Sequence, residues 1–355
     1  MNKEMKTSIV TKSLFSGLYI VLIIGLSQVT RGQILTFSGK TITKEAMDGF
    51  IERQMGSLQI PALSLTIINK GEIVYQSVTG IINKEGDPVD SLTLFEAASM
   101  TKPVFSYVVI RLAEKEILDL DTPLYKYLPN YDLDYDDRYK LITAKMVLSH
   151  TSGLPGWRKN FFCDLILDTI PGTKYIYSNE GFEYLGDVIK HITGRNLQDI
   201  FDEEIFTPFN INNSYLISND YVNKHIADGK KNNNEEEWGR NCMRHTPHMS
   251  HSLFSESHDY SKFIIGLMKE SKNSQSTFNS MSTPQFEYEP GKSICLGIRR
   301  EETPFGVKYH HGGNNANRYN SRFEFWPDSD FGYVYFMNCN RNEEFSHGLK
   351  IFLQE

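Results

Sequence analysis

Cysteine is scarce in this 355-residue chain, and the four present, Cys163, Cys242, Cys295 and Cys339, stand far apart. That spacing excludes a zinc finger or a C-x-x-C redox motif, and it leaves buried thiols or up to two disulfides, with three pairings open. Positive charge is also short. Lys and Arg number 37 against 44 Asp and Glu, a net of -7, and nucleic-acid binding needs clustered cations to neutralise phosphates. A small molecule or a neutral polymer is the expected partner. Repeats and low-complexity tracts are missing, as is any apolar run of the ~20 residues that a comfortable membrane-spanning helix needs. What remains, 40% hydrophobic and 23% charged residues with 25 Gly and 13 Pro, is a globular composition with enough length for one large or two interleaved domains.

The first 32 residues read as an export signal. Lys3, Lys6 and Lys12 precede a 13-residue apolar run, residues 14–26, followed by small residues at Thr30 and Gly32, with a cut expected before Gln33. An uncleaved N-terminal anchor is the competing reading. Lys3, Lys6, Lys12 and Arg31 against Glu4 give these residues +3, so the exported body is more acidic than the whole chain. It carries no lipoprotein acceptor, because no Cys lies near the end of the run. The expected location is periplasmic or secreted.

Residues 44–54 pattern as an amphipathic helix, and residues 62–68 and 73–78 as a hairpin turning at Asn69, Lys70 and Gly71. From Pro103 onward Val104, Val108 and Leu112 recur every four residues, so a buried helix begins near Ser99 with Pro103 in its first turn. Helical patterns follow at 143–148 and 181–192, and 230–237 reads as a solvated loop. Strands return at 294–299, 307–311, 322–326 and 332–338, with a last helix at 343–353. Strands at both ends imply one sheet completed by distant pieces, with a helical region inserted.

Three short motifs carry the chemistry. In Ser99-Met100-Thr101-Lys102 two side chains three apart on a helix share a face, so an amine can activate a hydroxyl, provided that burial or a neighbouring cation lowers the amine's pKa from ~10.4. The helix start also points backbone N–H groups at a developing oxyanion. In Tyr177-Ser178-Asn179 an extended segment turns phenol and amide the same way, one to relay a proton and one to hold a substrate carbonyl. In His311-Gly312-Gly313, at a strand end, the glycines let a substrate lie against the strand, and the N–H of Asn314 offers a second oxyanion donor.

Longer passages surround these motifs: Phe95-Glu-Ala-Ala-Ser-Met-Thr-Lys102, Leu118-Asp-Leu-Asp-Thr-Pro123 running on to Tyr127-Leu-Pro129, Met146-Val-Leu-Ser-His-Thr-Ser-Gly-Leu-Pro155, Pro171-Gly-Thr173 leading to Tyr177-Ser-Asn179, and Phe206-Thr-Pro-Phe209. Over roughly residues 40–355 the sequence resembles the serine β-lactamase and D-alanyl-D-alanine peptidase superfamily, in the class C-like branch that also holds esterases and D-amino-acid peptidases. The resemblance implies an α/β, β-lactamase/transpeptidase-like fold, an antiparallel sheet flanked by helices. Residues 33–125 with 240–355 would form the sandwich, and residues 126–239 the mostly helical insert. It also implies that Ser99 is the acyl-forming nucleophile, Lys102 its proton partner, Tyr177 a second base and Asn179 a substrate-amide clamp, with His311, Gly312, Gly313 and Asn314 lining the cleft. No cofactor or metal is expected; a peptide or ester is the expected substrate, and oligomeric state is left open.

Two departures from that branch matter. Class C β-lactamases usually have Lys where His311 stands, and a histidine with pKa near 6.5 is mostly neutral at pH 7; this favours a D-Ala-D-Ala-type peptidase or esterase over a β-lactamase. His310 is the alternative alignment, and Arg318 or Arg322 the candidates for the missing cation. Residues 250–254, Ser-His-Ser-Leu-Phe, replace the smaller residues of the branch, with the effect of narrowing the cleft or repacking a helix start. His150 is expected to serve a turn rather than catalysis. His245, His248 and His251 are expected to be solvated or packed, because Pro247 breaks the helix that would align them on a metal. Trp157, Phe161 and Phe162 are core or cleft wall. A catalytically silent sensor on the same fold is the reading from another class.

Overall fold

Alternation along the first strand sends Leu63, Leu65 and Ile67 to one face and Ser64 and Thr66 to the other. The computed structural model describes residues 33–159, 165–231, 237–240 and 245–354, so the export signal, Phe161, Phe162, Cys163 and Cys242 lie outside the described residues. The strand is β1 (Ala62–Asn69), buried on both faces, and it turns through Lys70 and Gly71, both at positive φ, into β2 (Glu72–Gly80). Two adjacent left-handed residues give a turn whose twist suits an antiparallel hairpin.

The other strands come from the C-terminal third: β3 (Phe286–Glu289), β4 (Lys292–Ile294), β5 (Arg299–Thr303), β6 (Gly306–Asn315), β7 (Tyr319–Trp326) and β8 (Phe331–Met337). They form one eight-stranded sheet in the order β2-β1-β8-β7-β6-β5-β4-β3, every pair antiparallel. The N-terminal hairpin thus completes a sheet built from the far end of the chain, as its patterning requires.

The sheet is covered on both faces. Behind it, Leu63, Leu65 and Ile67 pack with helix α1 (Lys44–Leu58), which supplies Met47, Phe50 and Ile51. In front, helix α2 (Thr101–Glu114) has 11 of its 14 residues buried, and an interior helix of that kind must be apolar nearly all round. Truncating one of its anchors, Phe105→Ala, would cost about 3–5 kcal/mol. Beyond α2 lie α3 (Ala144–Leu148), capped by the Thr143 hydroxyl, and α4 (Glu180–Thr193). Helix α5 (Ser257–Glu270) begins where the Ser257 hydroxyl meets Ser64 and Thr66, the polar half of the β1 alternation, each at 2.8 Å. Helix α6 (Asn342–Gln354) returns to the back face with Phe345, Leu349 and Leu353. None of the described helices is long and apolar enough to cross a membrane.

Three local expectations need correcting. Residues 294–299 are not one strand: Gly297, at φ 81, turns the chain between β4 and β5, and Cys295 N–H closes the turn on the Ile298 carbonyl. A short apolar run carries no mark of where it bends. The ends of the 230–237 stretch are not loop, since Gly229–Lys231 pairs with Glu237–Gly239; residues 232–236 lie outside the described residues. His311 does not end its strand, for β6 runs on to Asn315 along β7. Cys295 is a buried free thiol that donates to the Ser282 carbonyl; burial pushes it up to about 12, so it is an inert packing group.

Candidate active site

Ser99 is the one residue from Thr93 to Ile110 that is not buried. It stands in a single 3-10 turn, Ala98–Met100, that runs directly into α2. Ala98 is left-handed at φ 49, which costs a residue bearing a β-carbon about 1–2 kcal/mol. Surrounding bonds hold it there. Ala97 N–H donates to the Leu253 carbonyl (2.8 Å), while Thr101 Oγ1 donates to the Ala98 carbonyl (2.7 Å) and accepts from Leu253 N–H (3.0 Å). The unusual 250–254 segment therefore packs against the helix start. From the other side β6 closes so tightly that a Cβ on Gly313 would lie 2.3 Å from the Ala97 carbonyl oxygen.

Lys102 is fully buried, and its Nζ lies by Asn179 Oδ1 at 2.7 Å, the Ser250 carbonyl at 2.8 Å and Ser99 Oγ at 3.3 Å, with Tyr177 as a further polar partner. Burial pushes its pKa below the usual lysine range, while Tyr177 and Glu183 oppose that shift. A neutral amine has two N–H bonds and one lone pair. In the neutral form, with the amide and the carbonyl taking the two N–H groups, a lone pair would be available to the serine hydroxyl, the geometry a general base requires.

Tyr177 and Asn179, two apart on the segment entering α4, both reach Lys102, whose Nζ lies 4.8 Å from the centre of the tyrosine ring. His150 is the platform beneath. Its imidazole stacks on Tyr177 at 4.3 Å, its Nδ1 accepts Ser178 N–H at 3.0 Å, and burial holds it neutral. That is a structural task, in keeping with its place in a turn.

His311 is buried with its ring 6.4 Å from that of Tyr177, and burial, Arg299 and Lys102 press it well below its ordinary pKa. His310 lies instead near Glu301, at 3.7 Å, in the group of charges around Glu324. His311 is therefore the residue beside the site. Gly312 and Gly313 follow it on β6; the Asn314 side-chain amide donates to Asn340 Oδ1 and accepts the Asn317 N–H.

The missing cation is neither Arg318, which binds Glu237, nor Arg322, which binds Glu324. The cation that does stand beside Tyr177 is Arg299, unmarked by any motif, at the start of β5. Its guanidinium lies 5.8 Å from the centre of the Tyr177 ring and donates to Tyr175 Oη at 3.2 Å, and Tyr175 stacks on Tyr288. The Ser250 carbonyl and Glu183 were also silent in the sequence. A backbone acceptor has no side-chain signature, and Glu183 is one of several acids on α4.

His248 and His251 stack on each other at 5.2 Å over Glu183, and Trp157 stands edge-on to His251, half-exposed beside the cleft. Among the described residues the group with metal-like spacing is Glu256, His258 and Asp259. Its oxygens are already used: Glu256 caps α5 through the His258 and Asp259 N–H groups, and Asp259 binds Lys262 and Asn212 N–H. An open cavity of about 360 Å³ runs along α4, lined by Tyr131, Arg158, Glu180, Glu183 and Asp187 among others. It borders the chemistry through Glu183 but does not contain Ser99 or Lys102.

A family model described as Beta-lactamase matches residues 47–354. Protein flp of Staphylococcus aureus (strain MW2) is 24% identical over 204 residues, covering 53% of this chain and 41% of flp. Penicillin-binding protein 4* of Bacillus subtilis (strain 168) is 29% identical over 163 residues, covering 40% and 35%. The chain thus matches about two fifths of the length of these curated relatives. Among solved structures it is similar in fold to a class C beta-lactamase (TM-score 0.75, 19% identity, 87% of this chain and 95% of that one) and to the D-alanine carboxypeptidase AmpC of Burkholderia cenocepacia (0.74, 18%, 87% and 99%).

Proposed function

The chain belongs to the beta-lactamase family, and from that premise we propose that it is an exported serine hydrolase whose Ser99 is acylated by a peptide or ester carbonyl. The Lys102 amine takes the Ser99 proton as Oγ bonds to the carbonyl carbon. The resulting oxyanion accepts hydrogen bonds from the Ser99 and Asn314 N–H groups. Collapse breaks the bond to the leaving group, which collects its proton through Lys102 and Tyr177, and water or another acceptor then releases the acyl group from Ser99. Asn179 orients Lys102 as well as a substrate amide.

The observation that carries this reading is the pair of acceptors, Asn179 Oδ1 and the Ser250 carbonyl, that hold the buried amine 3.3 Å from Ser99 Oγ. Incubation with a fluorophosphonate should label Ser99 and should fail on Ser99→Ala, together with all turnover; label elsewhere, or activity in the variant, would defeat the assignment. A stable acyl-enzyme without turnover would instead favour the sensor.

Arg299 supports a substrate with a carboxylate near the scissile bond. A neutral His311 contributes no charge there, whereas the guanidinium close to Tyr177 does, which favours a D-Ala-D-Ala-type peptide over a simple ester. A β-lactam also bears a carboxylate and is the second reading. Rates on a D-Ala-D-Ala peptide, a cephalosporin and a short-chain p-nitrophenyl ester, measured side by side, separate the three.

A further inference from the structure

The acyl-Ser99 mechanism uses one atom of the 245–253 segment, the Ser250 carbonyl oxygen. The residue that bears it is held by a carboxylate on α4. Glu183 on α4 accepts Ser250 N–H at 3.1 Å and the Ser250 hydroxyl through the same oxygen, Oε1, while its other oxygen meets His248 Nδ1 at 3.1 Å. The Ser250 hydroxyl also lies 2.7 Å from His251 Nδ1. Two donors of one residue are thus gripped by one carboxylate, and the carbonyl of that residue faces Lys102.

Resting on the acyl-Ser99 reading, we propose that Glu183 is a positioning residue: it fixes Ser250 so that the Ser250 carbonyl holds the Lys102 amine with its lone pair on Ser99. Glu183 touches neither Ser99 nor Lys102 directly. Rotation of the Ser250 peptide would free one N–H of the amine and let the lone pair turn away from the hydroxyl. Burial resists ionisation of Glu183, but the bonds from His248 and Ser250 outweigh it and hold the carboxyl below its usual range. The site is therefore charged at neutral pH. Facing this carboxylate are His248 and His251 from the segment, Glu180 and Asp187 from its own helix, Arg158 and Asp132 across the cavity, and Lys102 from α2. Its negative charge raises the affinity of Lys102 for a proton, whereas Arg299 lowers it.

The test is the rate of Ser99 acylation by a p-nitrophenyl ester from pH 5 to 10 in the full chain, for wild type, Glu183→Gln and Ser250→Ala. For Glu183→Gln the plateau rate should fall about 10- to 100-fold with KM little changed. Its acid limb should also move to lower pH, because Lys102 loses a neighbouring negative charge. Ser250→Ala keeps the charge and one of the two donors, so its plateau should fall several-fold with the limb in place. A folded Glu183→Gln with wild-type plateau and limb would overturn the proposal. So would a plateau loss with no movement of the limb, the signature of a merely structural residue. Should Glu183→Gln not fold, an unchanged plateau in Ser250→Ala would be decisive against it. Wild type that does not acylate at Ser99 would remove the catalytic reading and this proposal together, whereas acylating wild type with indifferent variants would remove this proposal alone.

Discussion

The carbonyl oxygen of Ala97 occupies the space that a side chain on Gly313 would need, 2.3 Å from where its Cβ would stand. Ser321 Oγ is 2.5 Å from the same point, so neither neighbour can give way without moving backbone or a buried hydroxyl bonded to Ala97. Gly313→Ala should lose about 1–3 kcal/mol of stability by overpacking and slow the labelling of Ser99, because the helix start is displaced. Gly312→Ala meets only ordinary contacts, at 3.5 Å and beyond, and should keep its melting temperature. Thermal melts with timed probe labelling check both, and equal tolerance of the two substitutions would contradict this account of the strand contact.

Lys102 sets the pH dependence. Its pKa is depressed in the folded protein, so the unfolded chain binds more protons between that value and ~10.5, and this group makes stability rise with pH across the window. The same depression lets the amine act as a base at lower pH than an exposed lysine. Lys102→Ala should lose about 10²–10⁴ in acylation rate, and wild type should reach its plateau well below the pKa of an exposed lysine. A wild-type plateau reached only above pH 10 would contradict a neutral amine.

Arg299 can be separated from the acylation chemistry by its substrate. Arg299→Ala should lose about 10- to 100-fold in kcat/KM on a peptide ending in a free carboxylate, as expected for the loss of a charge-assisted hydrogen bond, and far less on a p-nitrophenyl acetate. Equal losses on the two substrates would assign Arg299 to the tyrosine cluster rather than to recognition.

On the back of the sheet Glu324 is fully buried and is met by Arg322 Nε at 2.6 Å, Lys350 Nζ at 2.8 Å and Lys308 Nζ at 3.3 Å. Burial opposes its charge, yet these cations win and hold its carboxyl far below the usual range. Its contribution to stability is therefore complete above the ordinary carboxylate pKa of ~4.3 and is lost only in stronger acid. Glu324→Gln leaves buried cations uncompensated and should cost about 3–5 kcal/mol at pH 7, measured by urea unfolding. A loss below ~1 kcal/mol would mean that water reaches the cluster.

The sequence made some of this legible for identifiable reasons. Ser99 and Lys102 share a helix face at a spacing that covalent geometry alone makes productive, and the β1 alternation announces a strand with two different neighbours. Arg299 is not legible in that way, because its place depends on a bend at Gly297 within a run that patterns as a single strand. Ser250 acts through a carbonyl that every residue possesses. Glu183 matters only through the packing of α4 against a segment 67 residues away. Side chains that act within one element can be read from spacing, whereas those that act across elements need the tertiary fold.

The hydrogen bond from Ala62 N–H to Asn338 Oδ1 joins residues 276 apart. As the chain is synthesised, the N-terminal hairpin must wait for almost the whole polypeptide before β8 exists to receive it, and Ser99 waits for β6, the strand that bears His311. Long-range closure of this kind is slow relative to local helix formation. A nascent chain cut short before β8 therefore carries Ser99 in an unassembled setting and should be unreactive toward acylating probes until the last strands emerge.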